Sequence, residues 1–305
     1  MDTVIHDRYV SRTERQAGVV VREEPVVYKD GAYAQALSKE QLKEYDEKGF
    51  LLIEELLSES EVEKFLAEVH ALEKRKDLKG RPELVTEVDS DELRSLFAMH
   101  RFSSLFEQLV RDPRILNVAR QILGSEVYIH QSRINYKPGF KGNEFYWHSD
   151  FETWHVEDGM PSMRALSCSV LLTDNNACNG PLMLVPGSQR SFLVCPGETP
   201  QNHHKKSLKK QEVGVPDPLS LTLLVEECGG LEAIEAKAGS VVFFDCNTMH
   251  GSAGNISPWP RANAFFVYNS IENKLEEPKY GLDPRPEYLA HRKHTAVLTP
   301  LDPKK

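Results

Sequence analysis

The sequence predicts an α+β chain: a helical first part, then a second half of short strands arranged as a β-sandwich or jelly roll. Three observations predict it. Two serine capping boxes and a proline-opened segment set helices between residues 38 and 124. After Gly124 the texture changes to β-branched and aromatic runs with polar residues interleaved, the signature of strands. Turn residues separate those runs at Asn175-Asn176, Asn179-Gly180-Pro181 and Pro186-Gly187-Ser188.

Taken in order, residues 1–37 read as a polar, irregular arm with one short strand at Gly18–Val21. Ser38-Lys39-Glu40-Gln41 is a capping box that opens a helix ended by Gly49. Phe50 to Glu54 is a compact apolar run, a strand. Ser58 to Glu61 is a second capping box, and Val62, Phe65, Leu66, Val69 and Leu72 then recur at helical spacing to residue 75, a core-facing stripe. Residues 74–82 read as a charged, solvated turn. Helices are expected over 91–98 and 103–110, and from Pro113 to Gly124. Strands are expected over 127–136, 164–173, 181–185, 240–245 and 261–271. Residues 196–232, rich in Pro, Lys and Gly, interrupt the series. His203 and His204 lie there among four lysines and read as a solvated, mobile loop rather than a metal site. The division expected is an arm at 1–37, one domain at 38–295 (helical to 124, jelly roll over 125–272), and a tail at 296–305.

A chain of 305 residues with 40% hydrophobic and 27% charged residues has ordinary globular composition. Its net charge of −9, without a long basic stripe, speaks against nucleic acid or an anionic membrane as partner. The five cysteines (168, 178, 195, 228 and 246) are odd in number and form no Cys-x-x-Cys pair. A disulfide framework and a cysteine zinc site are therefore not expected, and a reducing cytoplasm is. No basic segment followed by an apolar one opens the chain, and no apolar run approaches the about 18 residues of a membrane span.

Chemistry concentrates at Phe145 to Arg164, which contains His148-Ser149-Asp150. On an extended segment, residues i and i+2 share a face, so His148 and Asp150 would present an imidazole and a carboxylate to one point. That is two thirds of a 2-His-1-carboxylate triad, the set that leaves positions open on a non-haem Fe(II). Alone the pair is weak, because 11 His and 15 Asp in 305 residues supply about half such a pair by chance. Downstream, the β-run from Gly239 ends in a turn that exposes His250, and Arg261 opens the next strand eleven residues later. A histidine at a strand end and an arginine on the neighbouring strand suit a metal and a dicarboxylate held together. Singly, His250 reads equally well as a core histidine and Arg261 as a surface ion pair.

This ordered set resembles the Fe(II)- and 2-oxoglutarate-dependent dioxygenases. Asn179 to Ser188 resembles their phytanoyl-CoA hydroxylase branch, and the block from Phe145 to Pro161 resembles the motif of the ectoine hydroxylases. The likeness continues through Gln131 to Asn135 and Pro284 to Glu287, and covers most of residues 38–295. It implies a double-stranded β-helix (jelly-roll, cupin-like) core with helices outside it. It implies that His148, Asp150 and His250 bind iron, that Arg261 and Ser252 hold the distal carboxylate of 2-oxoglutarate, and that Asn135 lines that site. Gln131, Trp154, Phe244, Phe265 and Arg285 would surround the substrate, with Trp154 beside the metal. Ectoine is a cyclic zwitterion. Trp154 or a Phe suits its cationic ring, Arg285 its carboxylate, and Gln131 either group. Phe244 and Phe265 lie on strands and suit plain core packing equally. Arg285, in a Pro-flanked tail segment, suits a lid or a surface charge.

The reaction implied is hydroxylation of ectoine to 5-hydroxyectoine, with 2-oxoglutarate and O2 giving succinate and CO2, in compatible-solute biosynthesis under osmotic stress. A carboxylate at position 150 argues for hydroxylation over halogenation, which needs a small residue there. The resemblance also implies a homodimer. Three alternatives stand beside this reading: hydroxylation of another small molecule, a zinc hydrolase, and a non-catalytic jelly-roll binding protein. The zinc reading gives Arg261 no task and needs a general base near the metal.

Overall fold

The structure is a computed structural model, and it describes residues 7–13, 17–28, 33, 35–88 and 90–302. The strands are β1 (Gly18–Val21), β2 (Phe50–Ile53), β3 (Leu84–Thr86), β4 (Leu93–Phe97), β5 (Val127–Lys137), β6 (Phe145–His148), β7 (Ala165–Leu171), β8 (Met183–Leu184), β9 (Ser191–Val194), β10 (Glu232–Ala233), β11 (Val241–Asp245), β12 (His250–Ser252) and β13 (Arg261–Ser270). The helices are α1 (Lys39–Lys48), α2 (Glu59–Lys74), α3 (Met99–Phe102), α4 (Ser104–Val110), α5 (Pro113–Leu123), α6 (Asp150–Asp158), α7 (His204–Ser207) and α8 (Pro218–Glu227).

Both capping boxes form: Ser38 and Ser58 each accept a bond from the third residue of their helix, whose side chain reaches back to the cap. Gly49 ends α1 at φ +80°, and a Cβ there would stand 2.4 Å from Gln189 Oε1, so this turn requires glycine. Helices α2, α4 and α5 pack their apolar faces on one side of a seven-stranded antiparallel sheet of order β2-β11-β7-β13-β5-β4-β3. A second, four-stranded sheet of order β10-β8-β12-β6 supplies the opposite wall of the cavity described below. This is the jelly-roll core with outer helices that the sequence led us to expect.

Alternation decides what each strand offers. On β13, Ala262, Ala264, Phe266 and Tyr268 join the helix-side core, while Arg261 and Phe265 reach the other face, toward the cavity. On β5 the parity switches. Val127 and Ile129 pack on the helix side, but so do Ile134 and Tyr136. The switch is a bulge at His130: Tyr268 pairs with Ile129 and Val267 with Gln131, so His130 has no partner across the ladder. That extra residue re-aims Gln131, Arg133 and Asn135 into the cavity.

Several expectations need correction. Residues 91–98 are not a helix; Leu93–Phe97 is a fully buried strand paired with both β3 and β5. Its apolar spacing fits either period, and pairing on two sides decides it. The charged turn after α2 contains a short 3-10 segment that buries Leu78 completely. The insert is not a plain solvated loop: it contains α7 and α8, and His203 and His204 are buried. Asp217 caps α8 with Pro218 in its first turn, a helix-start signal that the Asp-Pro pair carries in the sequence. The arm holds the expected strand β1, which pairs with β9, and its Tyr9, Arg12 and Arg22 are buried. Among the described residues, no helix is long and apolar enough to cross a membrane.

Candidate active site

His148 closes β6 and His250 opens β12, and the two stand directly opposite each other in an antiparallel pair. Cross-strand neighbours approach closely, and the two rings lie 4.3 Å apart between centroids. Asp150 does not share the strand with His148, as the extended reading assumed. The chain turns after His148: Ser149 caps α6, accepting a bond from Glu152 N, and Asp150 is the first helical residue. A carboxylate there also suits the positive helix end. The i and i+2 side chains still converge. Asp150 Oδ1 lies 3.7 Å from His148 Nε2, and Oδ2 lies 4.0 Å from His250 Nε2.

The three ligand atoms lie within 4.8 Å of one another, and this is the one such group of three or more His, Cys, Asp or Glu among the described residues. Both imidazoles are set to bind a cation. His148 Nδ1 donates to Tyr146 O at 2.6 Å and His250 Nδ1 donates to Thr248 O at 2.9 Å, so each Nε2 keeps its lone pair. Burial lowers the pKa of both histidines, that of His250 to about 4 with the help of His148. Burial alone would raise the Asp150 carboxyl, but His250, Arg133 and His148 outweigh it and hold it below the usual range. Two neutral imidazoles and one ionised carboxylate are thus presented at neutral pH.

The cavity beside this triad is walled by both sheets and by the insert, through Ser207, Leu208, Gln211 and Val213. Arg261 is 2% exposed; Nη1 donates to Gly180 O at 3.0 Å, and Nε has no partner. No carboxylate pairs with it among the described residues. Burial and the charge of Arg94 push its pKa down to about 9. Across the ladder stands Lys137, whose ammonium donates to Asn143 O at 2.6 Å and Ala253 O at 2.7 Å. Burial, Arg261 and Arg94 push it down to about 6. Phe145 lies between Arg94, 4.0 Å from its ring, and Lys137 at 4.9 Å. Glu87 pairs with Arg94. This wall carries more buried cations than anions.

A model of the phytanoyl-CoA dioxygenase (PhyH) family matches residues 45–263. An ectoine dioxygenase of Bordetella bronchiseptica is 63% identical over 97% of this chain and 96% of its own length. The crystal structure of EctD from S. alaskensis with 2-oxoglutarate and 5-hydroxyectoine superposes with a TM-score of 0.87 at 46% identity, over 97% of this chain and 98% of that one. The same protein with bound Fe gives 0.85 over the same shares.

The chain belongs to the phytanoyl-CoA dioxygenase family, among its ectoine dioxygenases.

For such a dioxygenase the donor set is the right one: one hard carboxylate and two imidazoles suit Fe(II) and leave positions open. The orphaned Nε of the buried Arg261 fits a carboxylate of 2-oxoglutarate. Ser252 and Asn135 line the same cavity, and Ser95 Oγ donates to Asn135 Oδ1 at 3.2 Å.

The expected substrate residues are placed unequally. Trp154 lines the cavity on α6, almost fully buried, with His130 edge-on to it at 5.0 Å. Phe265 lines it too, under the Arg133 guanidinium at 4.9 Å. Gln131 lines it but is engaged: Nε2 donates to Leu289 O at 2.7 Å and Oε1 accepts from Arg133. Arg285 lines it and is tied to Asp158, Nε to Oδ1 at 2.7 Å and Nη2 to Oδ2 at 2.5 Å, leaving Nη1 outside this pair. Phe244 does not reach the cavity; it is fully buried and packs edge-on against His250 at 4.9 Å. Sequence reasoning missed Arg133, Phe145 and the insert residues. The apolar parity switch between Ile129 and Ile134 was the signal for Arg133.

Proposed function

We propose that the chain hydroxylates ectoine to 5-hydroxyectoine, consuming 2-oxoglutarate and O2 at Fe(II) and releasing succinate and CO2. The observation that carries the reading is one juxtaposition. The triad of His148, Asp150 and His250 opens onto the cavity whose wall holds Arg261, a buried cation without an acidic partner. When bound, Fe(II) with 2-oxoglutarate would supply the oxidation, one oxygen atom of O2 ending in succinate and the other in the hydroxyl group of the product.

The rest falls to the protein's own residues. His148, Asp150 and His250 would hold the metal. Asp150 would serve as a carboxylate ligand where a halogenating site needs a small residue, which argues for hydroxylation. Arg261, with Ser252 and Asn135 beside it, holds the distal carboxylate of 2-oxoglutarate. Trp154 and Phe265 would offer ring faces to the delocalised cation of ectoine, and Arg285, with Gln131, would meet its carboxylate. Phe244 acts behind His250 rather than on the substrate. The insert residues Leu208 and Val213 exclude water from the reacting centre.

We also infer a reducing, cytoplasmic setting, supported by five cysteines that are all free. We also propose, from the resemblance, a homodimer and an activity carried by the single domain at 38–295. The test is direct: Fe(II)-loaded protein with 2-oxoglutarate, O2 and ectoine should yield a product heavier by one oxygen atom, with one succinate per product. Product formation without O2 would overturn the reaction class. Inert ectoine, with turnover of another small molecule, would overturn the substrate.

A further inference from the structure

Arg12 is one of the buried side chains of the N-terminal arm, and the reaction above does not use it. Arg12 is 2% exposed. Its Nε and Nη2 donate to the Glu152 carboxylate at 3.0 and 2.7 Å, and Nη1 donates to Glu157. Nη2 also donates to Thr153 Oγ1 at 2.8 Å, and Nη1 to Thr199 Oγ1 at 3.1 Å. Glu152, Thr153 and Glu157 lie on α6, the helix that begins with Asp150 and carries Trp154. Thr199 precedes the insert residues that wall the cavity, and Gly214 follows them. A Cβ on Gly214 would stand 2.2 Å from Arg12 Nη2. One guanidinium is therefore bonded to α6 and to Thr199 at one end of the covering segment, and packs against Gly214 at the other.

The charges at this point are coupled. Glu157 lines the cavity, and its Oε2 lies 3.9 Å from Arg285 Nε. Arg12 and Arg285 face Glu152, Glu157 and Asp158, leaving one net negative charge in a buried cluster. Without Arg12 there would be two, and Glu157 would compete with Asp158 for Arg285. Removing one partner of a buried charge pair leaves the other uncompensated, and geometry then shifts to compensate it.

We propose that Arg12 is a positioning residue for the substrate side of the cavity, holding Glu157 and the covering segment so that Arg285 keeps its place and Nη1 can meet an anionic group of the substrate. This rests on the hydroxylase reading of the cavity. Arg261 lines the same cavity but, among the described residues, shares no hydrogen bond or ion pair with this cluster, so its hold on 2-oxoglutarate should not change.

Steady-state kinetics of the Fe(II)-loaded full chain test it. Arg12→Gln should raise KM for ectoine about tenfold or more while KM for 2-oxoglutarate stays within about twofold. In a Glu157→Gln background the same change should cost less than about threefold, because no carboxylate at 157 is left unpaired. Arg12→Lys, which keeps the charge but not the fork, should fall between. Equal rises in both KM values, or the same loss in both backgrounds, would overturn the proposal and leave Arg12 a purely structural residue. Should Arg12→Gln fail to fold, Arg12→Lys decides alone: a higher KM for ectoine with that for 2-oxoglutarate unmoved supports the proposal, and unmoved or parallel values overturn it. Wild-type protein inert toward ectoine sinks the functional reading itself, before any variant is made.

Discussion

Ser167 Oγ donates a hydrogen bond to Asp150 Oδ2 at 3.0 Å, reaching from the middle of β7 to the first residue of α6. The bond fixes the carboxylate rotamer between the two imidazoles. Partners that orient a metal-binding carboxylate account for about 10–100-fold in affinity. Ser167→Ala should therefore weaken Fe(II) binding about tenfold with the fold intact. Anaerobic Fe(II) titration checks this; unchanged affinity would mean that the helix cap at Ser149 orients Asp150 unaided.

Arg261 offers a sign test. Its guanidinium is buried without a carboxylate partner among the described residues, so removing it should not destabilise the ligand-free protein. Arg261→Met should leave Tm equal or higher. The same variant should raise KM for 2-oxoglutarate about 100-fold, a loss of about 2.7 kcal/mol for a two-pronged charged contact. Added 2-oxoglutarate should raise the Tm of the wild type and not that of the variant. A variant that melts early and still responds to 2-oxoglutarate would show Arg261 to be structural.

The metal triad and Arg261 were legible because their chemistry is tied to residue type and order. His148, Asp150, His250 and Arg261 each close or open an element, where a side chain is free to face a cavity. Texture led to an α+β chain with a sandwich or jelly-roll second half, and the family resemblance narrowed that to the jelly roll. What escaped depended on pairing across the chain. Leu93–Phe97 has a spacing that fits either a helix or a strand, and only β3 and β5 on its two sides decide for the strand. Phe244 and Phe265 look alike in sequence, yet the strand alternation puts one behind His250 and the other in the cavity wall. Arg12 lies in an arm without periodicity, and its partners are some 140 residues away; no local pattern announces such a contact.

His291 makes the fold acid-sensitive. Its Nδ1 donates to Ile129 O at 2.8 Å, and Nε2 has no partner among the described residues. Burial, with His100 and Arg101 beside it, pushes its pKa down to about 3, and burial with Arg101 pushes that of His100 down to about 4. The unfolded chain takes up these protons near pH 6.5, the folded chain only well below, so the unfolded state binds more protons in between. The stability concerned is complete above about pH 6.5 and declines as pH falls toward the folded values. His291→Asn can keep the bond to Ile129 without titrating. It should flatten the decline of Tm between about pH 6.5 and pH 4 relative to wild type. Parallel Tm curves would assign the acid sensitivity to other groups.

The two phenylalanines give a paired test of where metal support ends and substrate contact begins. Phe244 holds the His250 ring edge-on at 4.9 Å and does not line the cavity. Phe265, under the Arg133 guanidinium at 4.9 Å, does. Replacing either by Leu removes an aromatic face at a site where the lost packing costs about 1–1.5 kcal/mol. The consequences should differ. Phe244→Leu should lower Fe(II) affinity through a looser His250, while KM for ectoine at saturating iron stays near the wild-type value. Phe265→Leu should leave iron binding unchanged and raise KM for ectoine several-fold, because a ring face facing a desolvated cation is worth about 1–2 kcal/mol. Fe(II) titration and substrate kinetics on the two variants separate the effects. If Phe244→Leu moved KM for ectoine and not iron affinity, the edge-on contact with His250 would have no part in holding the metal.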